Sequence, residues 1–251
     1  MTIEEGVLGG KAAVVTGGSR GIGRAIVERL ARDGAEVVFG YARNAEAAAD
    51  VERTVAEAGG TAHAVQADLG EPGGVARLFA HAETHLDGLD ILVNNAAGDF
   101  QPAMLEDVTE EYYERMMAVN ARAPFLALQY AARHMRDGGR IVNISTLNTV
   151  LPGPGISVYA GSKGALEQFT AVATHELGPR GITVNTVSPG ATDTDLLRST
   201  NPPQALEMFT RLTPLGRIGQ PADVADVVAF LAGPDGRWMT GQNLRAAGGI
   251  R

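Results

Sequence analysis

Seven short apolar runs recur along this chain, each separated from the next by a longer helical stretch, and this alternation constrains the fold more than any other feature. The runs are Lys11–Thr16, Glu36–Tyr41, Ala62–Ala67, Ile91–Asn94, Arg140–Ser145, Ile182–Val187 and Gln242–Arg245. A short apolar run bounded by glycine reads as a strand buried on both faces. After the first run, Ile22, Ile26, Val27 and Leu30 recur at helical spacing, and Gly34 is placed to end that helix. Strands separated by helices throughout imply parallel pairing through right-handed crossovers. The expected architecture is α/β: a doubly wound parallel sheet of about seven strands with helices on both faces. No linker, repeat or low-complexity run interrupts the pattern, so residues 1–251 are expected to form a single domain. The least regular segment, Asp193 to Gly219, is expected to be a loop at the sheet's ligand-binding edge.

The first strand runs into Thr16-Gly-Gly-Ser-Arg-Gly-Ile-Gly23. Glycine at Gly17, Gly21 and Gly23 permits a tight turn and lets a pyrophosphate approach the backbone at the positive end of a helix. Ser19, Arg20 and Ile22 complete the turn as candidate cofactor contacts. An acidic residue about twenty positions on would hold the 2′-hydroxyl of NAD, but that position is Arg43, and Phe39-Gly-Tyr-Ala-Arg43 offers no carboxylate. Two guanidiniums, Arg20 and Arg43, with no acid between them suit a 2′-phosphate. The expected cofactor is therefore NADP(H).

Lysine occurs only twice, at Lys11 and Lys163, while arginine carries the other positive side chains. Lys163 follows Tyr159 by four residues, so both side chains can share one face of a helix. An ammonium beside a phenol favours phenolate and lowers its pKa from about 10. Tyr159 is thus expected to be an acidified proton donor. A net charge of -8 supplies no basic surplus for nucleic acid. Cysteine is absent, which excludes disulfides and thiolate chemistry. The histidines His63, His81, His85, His134 and His175 form no metal-like cluster around the motifs, and no metal is expected. The acidic N-terminus lacks signal-peptide order and no apolar stretch is long enough to cross a bilayer, so a cytoplasmic, membrane-free protein is expected.

Together with Asp68-Leu69, Asn94-Asn-Ala-Ala-Gly98, Val119-Asn120, Ile141-Val-Asn-Ile-Ser-Thr146, Val184-Asn-Thr-Val-Ser-Pro-Gly190 and the glycines between Gly241 and Gly249, these motifs resemble the single-domain short-chain dehydrogenases and reductases across almost the whole chain. Within that family the chain shows a general similarity to 3-oxoacyl-acyl-carrier-protein reductases. It implies a Rossmann-like fold and hydride transfer between a nicotinamide and a carbonyl or alcohol carbon. Tyr159 would be the general acid, and Lys163 would assist it and hold the nicotinamide ribose. Asn120, on a long helix between Glu111 and Met135, would support a water link from the lysine. The usual serine is replaced: thirteen residues before Tyr159 stands Thr146, with Ser145 one earlier. Neighbours on an extended segment face opposite ways, and Thr146 is the choice. Asp68 and Leu69 would flank adenine, with Asp68 alternatively a helix N-cap. Asn95, Ala96 and Ala97 would pass along the ribose, and Pro189, Gly190, Thr192 and Thr194 would hold the nicotinamide amide. Asp99, Phe100 and Met104 are placed to line the substrate mouth.

The expected activity is NADPH-dependent reduction of a ketone or 3-oxoacyl thioester, with a small-molecule carbonyl substrate, free or carrier-linked. The same residues would serve an NAD(P)-dependent alcohol or sugar dehydrogenase running oxidatively. A non-catalytic NADP-binding regulator is the remaining alternative. The helices around Asn120 and from Tyr159 to Gly178 resemble those through which relatives pair, implying a homo-oligomer, a tetramer or dimer.

Overall fold

A computed structural model describes residues 6–250. In chain order its elements are β1 (Ala12–Val15), α1 (Gly21–Arg32), β2 (Glu36–Tyr41), α2 (Ala45–Glu57), β3 (Thr61–Gln66), α3 (Gly74–His85) and β4 (Leu89–Asn94). They continue through α4 (Glu110–Met117), α5 (Ala123–His134), β5 (Met135–Ile144), α6 (Ser157–Leu177), β6 (Thr183–Pro189), α7 (Asp195–Thr200), α8 (Pro203–Leu212), α9 (Pro221–Ala232) and β7 (Asn243–Ala246). The strands form one parallel sheet in the order β3-β2-β1-β4-β5-β6-β7. From β1 the chain winds outward one way to β3, then returns to β4 and winds the other way. The reversal lies between β1 and β4, and ligands collect at such a point beyond the strands' carboxyl ends.

Each face of the sheet has its own core because successive strand residues point to opposite sides. Ala13 and Val15 of β1 join Val37 and Phe39 of β2 under Ile26 and Leu30 of α1, Val51 of α2 and Val228 of α9. Ala12 and Val14 go the other way, with Val38, to Leu78 of α3, Ala131 of α5 and Leu177 of α6. Both cores hold apolar side chains from several helices, which explains why the strand sequences read as continuous apolar runs.

Three expectations change in detail. The single long helix from Glu111 to Met135 is two helices joined by a π-helical turn at Ala118–Arg122, where the Ala123 N–H donates to the Ala118 carbonyl. Asn120 lies at the centre of that turn. β5 begins five residues earlier than Arg140, and its pairing with β4 shifts between Leu89 and Ile91. Asp193–Gly219 is less irregular than its Thr, Pro and Asn content implies: it holds α7, capped by the Thr194 hydroxyl accepting from the Leu197 N–H, and α8, which starts at Pro203.

Candidate active site

The floor of the cleft is the glycine turn. Gly17 has φ +68, and a Cβ there would lie 2.9 Å from the Ala96 Cα; a Cβ on Gly23 would meet the Gly17 carbonyl oxygen at 2.0 Å. The turn can therefore be built only from glycine at these places. It opens directly into α1, whose first turn carries no acidic residue, so its positive end is uncompensated by protein charge. A pyrophosphate fits this floor. The Thr16 hydroxyl accepts from the backbone N–H of both Asn95 and Ala96 at 2.9 Å, and the Asn95 amide donates to the carbonyls of Thr16 and Gly17. The Asn95 side chain thus braces the turn. Thr194 approaches from the far side, its methyl 3.2 Å from where a Gly21 side chain would begin. Thr192 is buried and bonds to the Gly190 carbonyl, which holds the Pro189–Thr194 bend together.

Asp68 is not a helix N-cap. Gly73 occupies that position before α3, and Asp68 closes a local turn by accepting from the Gly70 N–H at 2.9 Å. Leu69 packs into the core with Val75 and Leu78. The two arginines differ. Arg20 is exposed and makes no ion pair among the described residues, whereas the Arg43 guanidinium donates to Asp99 at 2.7 Å. The expectation of two arginines with no acid between them fails here, because Asp99, 56 residues away in sequence, is brought to Arg43 by the fold.

The chemical centre forms where α6 meets the end of β5. Tyr159 and Lys163 both face it. Lys163 is 2% exposed, and its ammonium donates to the carbonyl of Ile144, the last residue of β5, at 2.8 Å. Burial pushes this lysine down to about 8, which leaves it mostly protonated at neutral pH. Burial also pushes the Tyr159 phenol up, opposed by a hydrogen bond from Thr146 that favours phenolate. This reverses the expected acidification. Burial is the largest cause, and Tyr112 adds to it in the same direction. The Phe100 ring meets the Tyr159 ring edge-on, with centroids 5.0 Å apart.

Ser145 and Thr146 point opposite ways, as the extended backbone requires. The Ser145 hydroxyl donates to Glu167 at 2.6 Å, and Thr149 donates to the same carboxylate oxygen at 2.8 Å. Thr146 is the one that meets Tyr159. Asn120 is 1% exposed and its amide is fully engaged: the oxygen accepts from the Gly98 N–H at 2.8 Å, and the nitrogen donates to the Ser162 hydroxyl at 3.0 Å. Ser162 in turn donates to the Tyr159 carbonyl at 2.7 Å. Asn120 therefore ties the π-turn, the Gly98 loop and α6 into one unit. Sequence reasoning passed over Ser162, Glu167 and Thr170, yet a signal existed. Tyr159, Ser162, Lys163, Leu166, Thr170 and Ala173 recur at helical spacing, so the polar ones stand on the buried stripe of α6.

Three histidines expected to be unremarkable cluster at the far flank: His63 of β3 stacks on His85 of α3 with ring centroids 4.0 Å apart, and His81 lies tilted 4.8 Å from His85. No group of three or more metal-binding side chains suited to an ion occurs among the described residues, and no described helix is long and apolar enough to cross a membrane.

Residues 17–251 match a family model described as enoyl-(acyl carrier protein) reductase. An uncharacterized oxidoreductase of Methylorubrum extorquens is 46% identical over 97% of this chain and 99% of its own length. Versicolorin reductase 1 of Aspergillus parasiticus is 41% identical, over 96% of this chain and 97% of its own. Among solved structures, the angucycline C-6 ketoreductase LanV with bound NADP superposes with a TM-score of 0.92 at 47% identity, covering 98% of this chain and 97% of that one. A dehydrogenase/reductase from Sinorhizobium meliloti gives a TM-score of 0.92 at 46% identity, over 97% of this chain and 96% of that one.

Proposed function

Because the chain belongs to the short-chain dehydrogenase/reductase family, we propose that it reduces a ketone to a secondary alcohol with NADPH, using Tyr159 as the proton donor. The observation that carries this reading is Tyr159 beside Thr146, with Lys163 one helical turn on and bonded to the end of β5, near a glycine turn that fits a pyrophosphate. Bound NADPH supplies the hydride. Tyr159, held protonated by burial, gives its proton to the carbonyl oxygen as negative charge develops there. Thr146 hydrogen-bonds the same region and favours the phenolate that remains. The Lys163 ammonium sits one helical turn away and offsets that new charge without leaving its seat on Ile144.

Further support for NADP comes from Arg20 and Arg43 at the adenosine end and from the bound NADP of the LanV structure. The likeness to an angucycline ketoreductase and to a versicolorin reductase favours a bulky cyclic ketone over a carrier-linked acyl chain. The exposed apolar residues Met104, Leu105, Val150, Leu151 and Leu196 lie on the segments that follow β4, β5 and β6, and an apolar mouth suits such a substrate. The assay is NADPH oxidation with bicyclic ketones, with 3-oxoacyl thioesters, and in reverse with secondary alcohols and NADP. Turnover fastest on the bicyclic ketones is expected; NADPH binding with no turnover on any of them would support a binding protein instead. We also assign one domain over residues 1–251, cytoplasmic residence, and pairing of copies through α5 and α6, where Phe125, Leu126 and Val172 are exposed. A monomer by light scattering at micromolar concentration would remove the pairing.

A further inference from the structure

Arg43 follows β2 and Asp99 follows β4, and these strands flank β1 on either side. Their ion pair therefore crosses above the carboxyl end of β1, spanning two strand spacings, about 10 Å. That is the point where the glycine turn opens and the winding reverses. A dinucleotide lying on the turn passes this bridge. Asp99 is followed by Phe100, whose ring lies edge-on against Tyr159. One short segment thus touches the arginine at the adenosine end and the phenol at the reacting end.

We propose that Asp99 is a cofactor-sensing clasp: it competes with the 2′-phosphate of NADP for Arg43, and its release carries Phe100 away from Tyr159 and opens the substrate position. The inference rests on the NADP reading above. Both partners are exposed, with side chains 66% and 52% accessible, so the bridge is weak and can be displaced. A 2′-phosphate carries more charge than a carboxylate and matches the guanidinium fork. Asp68 adds a second acid near Arg43, which raises the repulsion that a phosphate must overcome. Arg20, unpaired among the described residues, offers the first contact before the clasp opens. NAD has a hydroxyl there and gives Asp99 no reason to leave. Discrimination between the cofactors then lies partly in an acid that must be displaced, and not only in the arginine that binds.

The test titrates NADPH and NADH separately into the full-length protein without substrate, following cofactor fluorescence, for the wild type, Asp99→Asn, Arg43→Leu and the double variant. Asp99→Asn keeps shape and exposure and removes only the charge. It is expected to tighten NADPH about fivefold, to leave NADH within about twofold, and to lose the gain in 1 M salt or when Arg43 is also replaced. In steady-state assays it is expected to lower the ketone KM when NADH is the cofactor. An unchanged NADPH affinity in Asp99→Asn, beside a clear loss in Arg43→Leu, would overturn the clasp and leave the NADP reading intact. Equal binding of NADPH and NADH to the wild type, unaltered by Arg43→Leu, would overturn both.

Discussion

At the β5–β6 end of the cleft polar side chains are buried and bonded to one another, whereas at the β2–β3 end they are exposed and held by charge. Asn94 donates to Asn143 at 2.8 Å, Asn143 donates to Thr170, and Thr186 reaches the same hydroxyl at 3.0 Å. Separately, Asn120 donates to Ser162, Ser162 donates to the Tyr159 carbonyl, and Lys163 donates to the Ile144 carbonyl at the reacting centre. Across the molecule, Arg43 with Asp99 and Arg115 with Asp68 are surface pairs open to solvent and salt. Buried networks fix geometry because leaving one member unpaired costs roughly 1–3 kcal/mol. Surface pairs contribute about 0–1 kcal/mol and rearrange freely. Proton transfer to a developing oxyanion needs the first kind of construction, and a grip that must open and close on a cofactor needs the second.

The contrast is most exposed to test at Lys163. Moving its pKa from 10.5 to about 8 corresponds to about 3 kcal/mol of penalty for keeping the ammonium buried at neutral pH. Lys163→Met keeps the volume and removes the charge, so it should abolish activity yet raise stability by about 1–3 kcal/mol in urea unfolding at pH 7. The folded lysine releases its proton near 8 and the unfolded one near 10.5. Wild-type stability should therefore rise with pH across that window and close the gap to the variant. A less stable Lys163→Met at pH 7 would mean that the buried end is built for stability and not for chemistry.

A smaller effect is expected on the exposed flank. His81 is pushed down by burial first and then by His85 and His63, with Glu36 on β2 and Glu52 on α2 facing the same flank. Its folded pKa lies below its unfolded value of 6.5, so its contribution is complete above pH 6.5 and is lost as pH falls through the depressed value. His81→Gln should flatten the acid limb of stability against pH by less than about 1 kcal/mol. An unaltered acid limb would show that the clustered rings carry no coupling.

These two ends also differ in how legible they were. The strand and helix pattern, the glycine turn and the Tyr159–Lys163 pair follow from periodicity and local spacing, which the chain records directly. Alternation along a strand is also legible, and it sends Ser145 and Thr146 to opposite faces. Three features departed from expectation. The Arg43–Asp99 bridge joins residues far apart in sequence, and only strand order brings them over β1. The π-turn at Asn120 comes just before Pro124, which has no N–H to give the Asn120 carbonyl, so the chain did carry a local mark of the break; the bonds to Gly98 and Ser162 then fix the Asn120 side chain. The direction of the Tyr159 shift was misjudged, because spacing reveals a neighbouring charge but not the loss of water around it.

The central claim, that Tyr159 donates the proton, is tested most directly by single-turnover NADPH oxidation with a reducible ketone in the wild type and in Tyr159→Phe, with NADPH affinity measured on the same samples. The account predicts unchanged NADPH affinity, a turnover rate lowered by about 10²–10⁴-fold in the variant, and a wild-type rate that falls as pH rises through about 8, where Lys163 loses its charge. A Tyr159→Phe protein that binds NADPH normally and keeps its rate within tenfold of the wild type would contradict it.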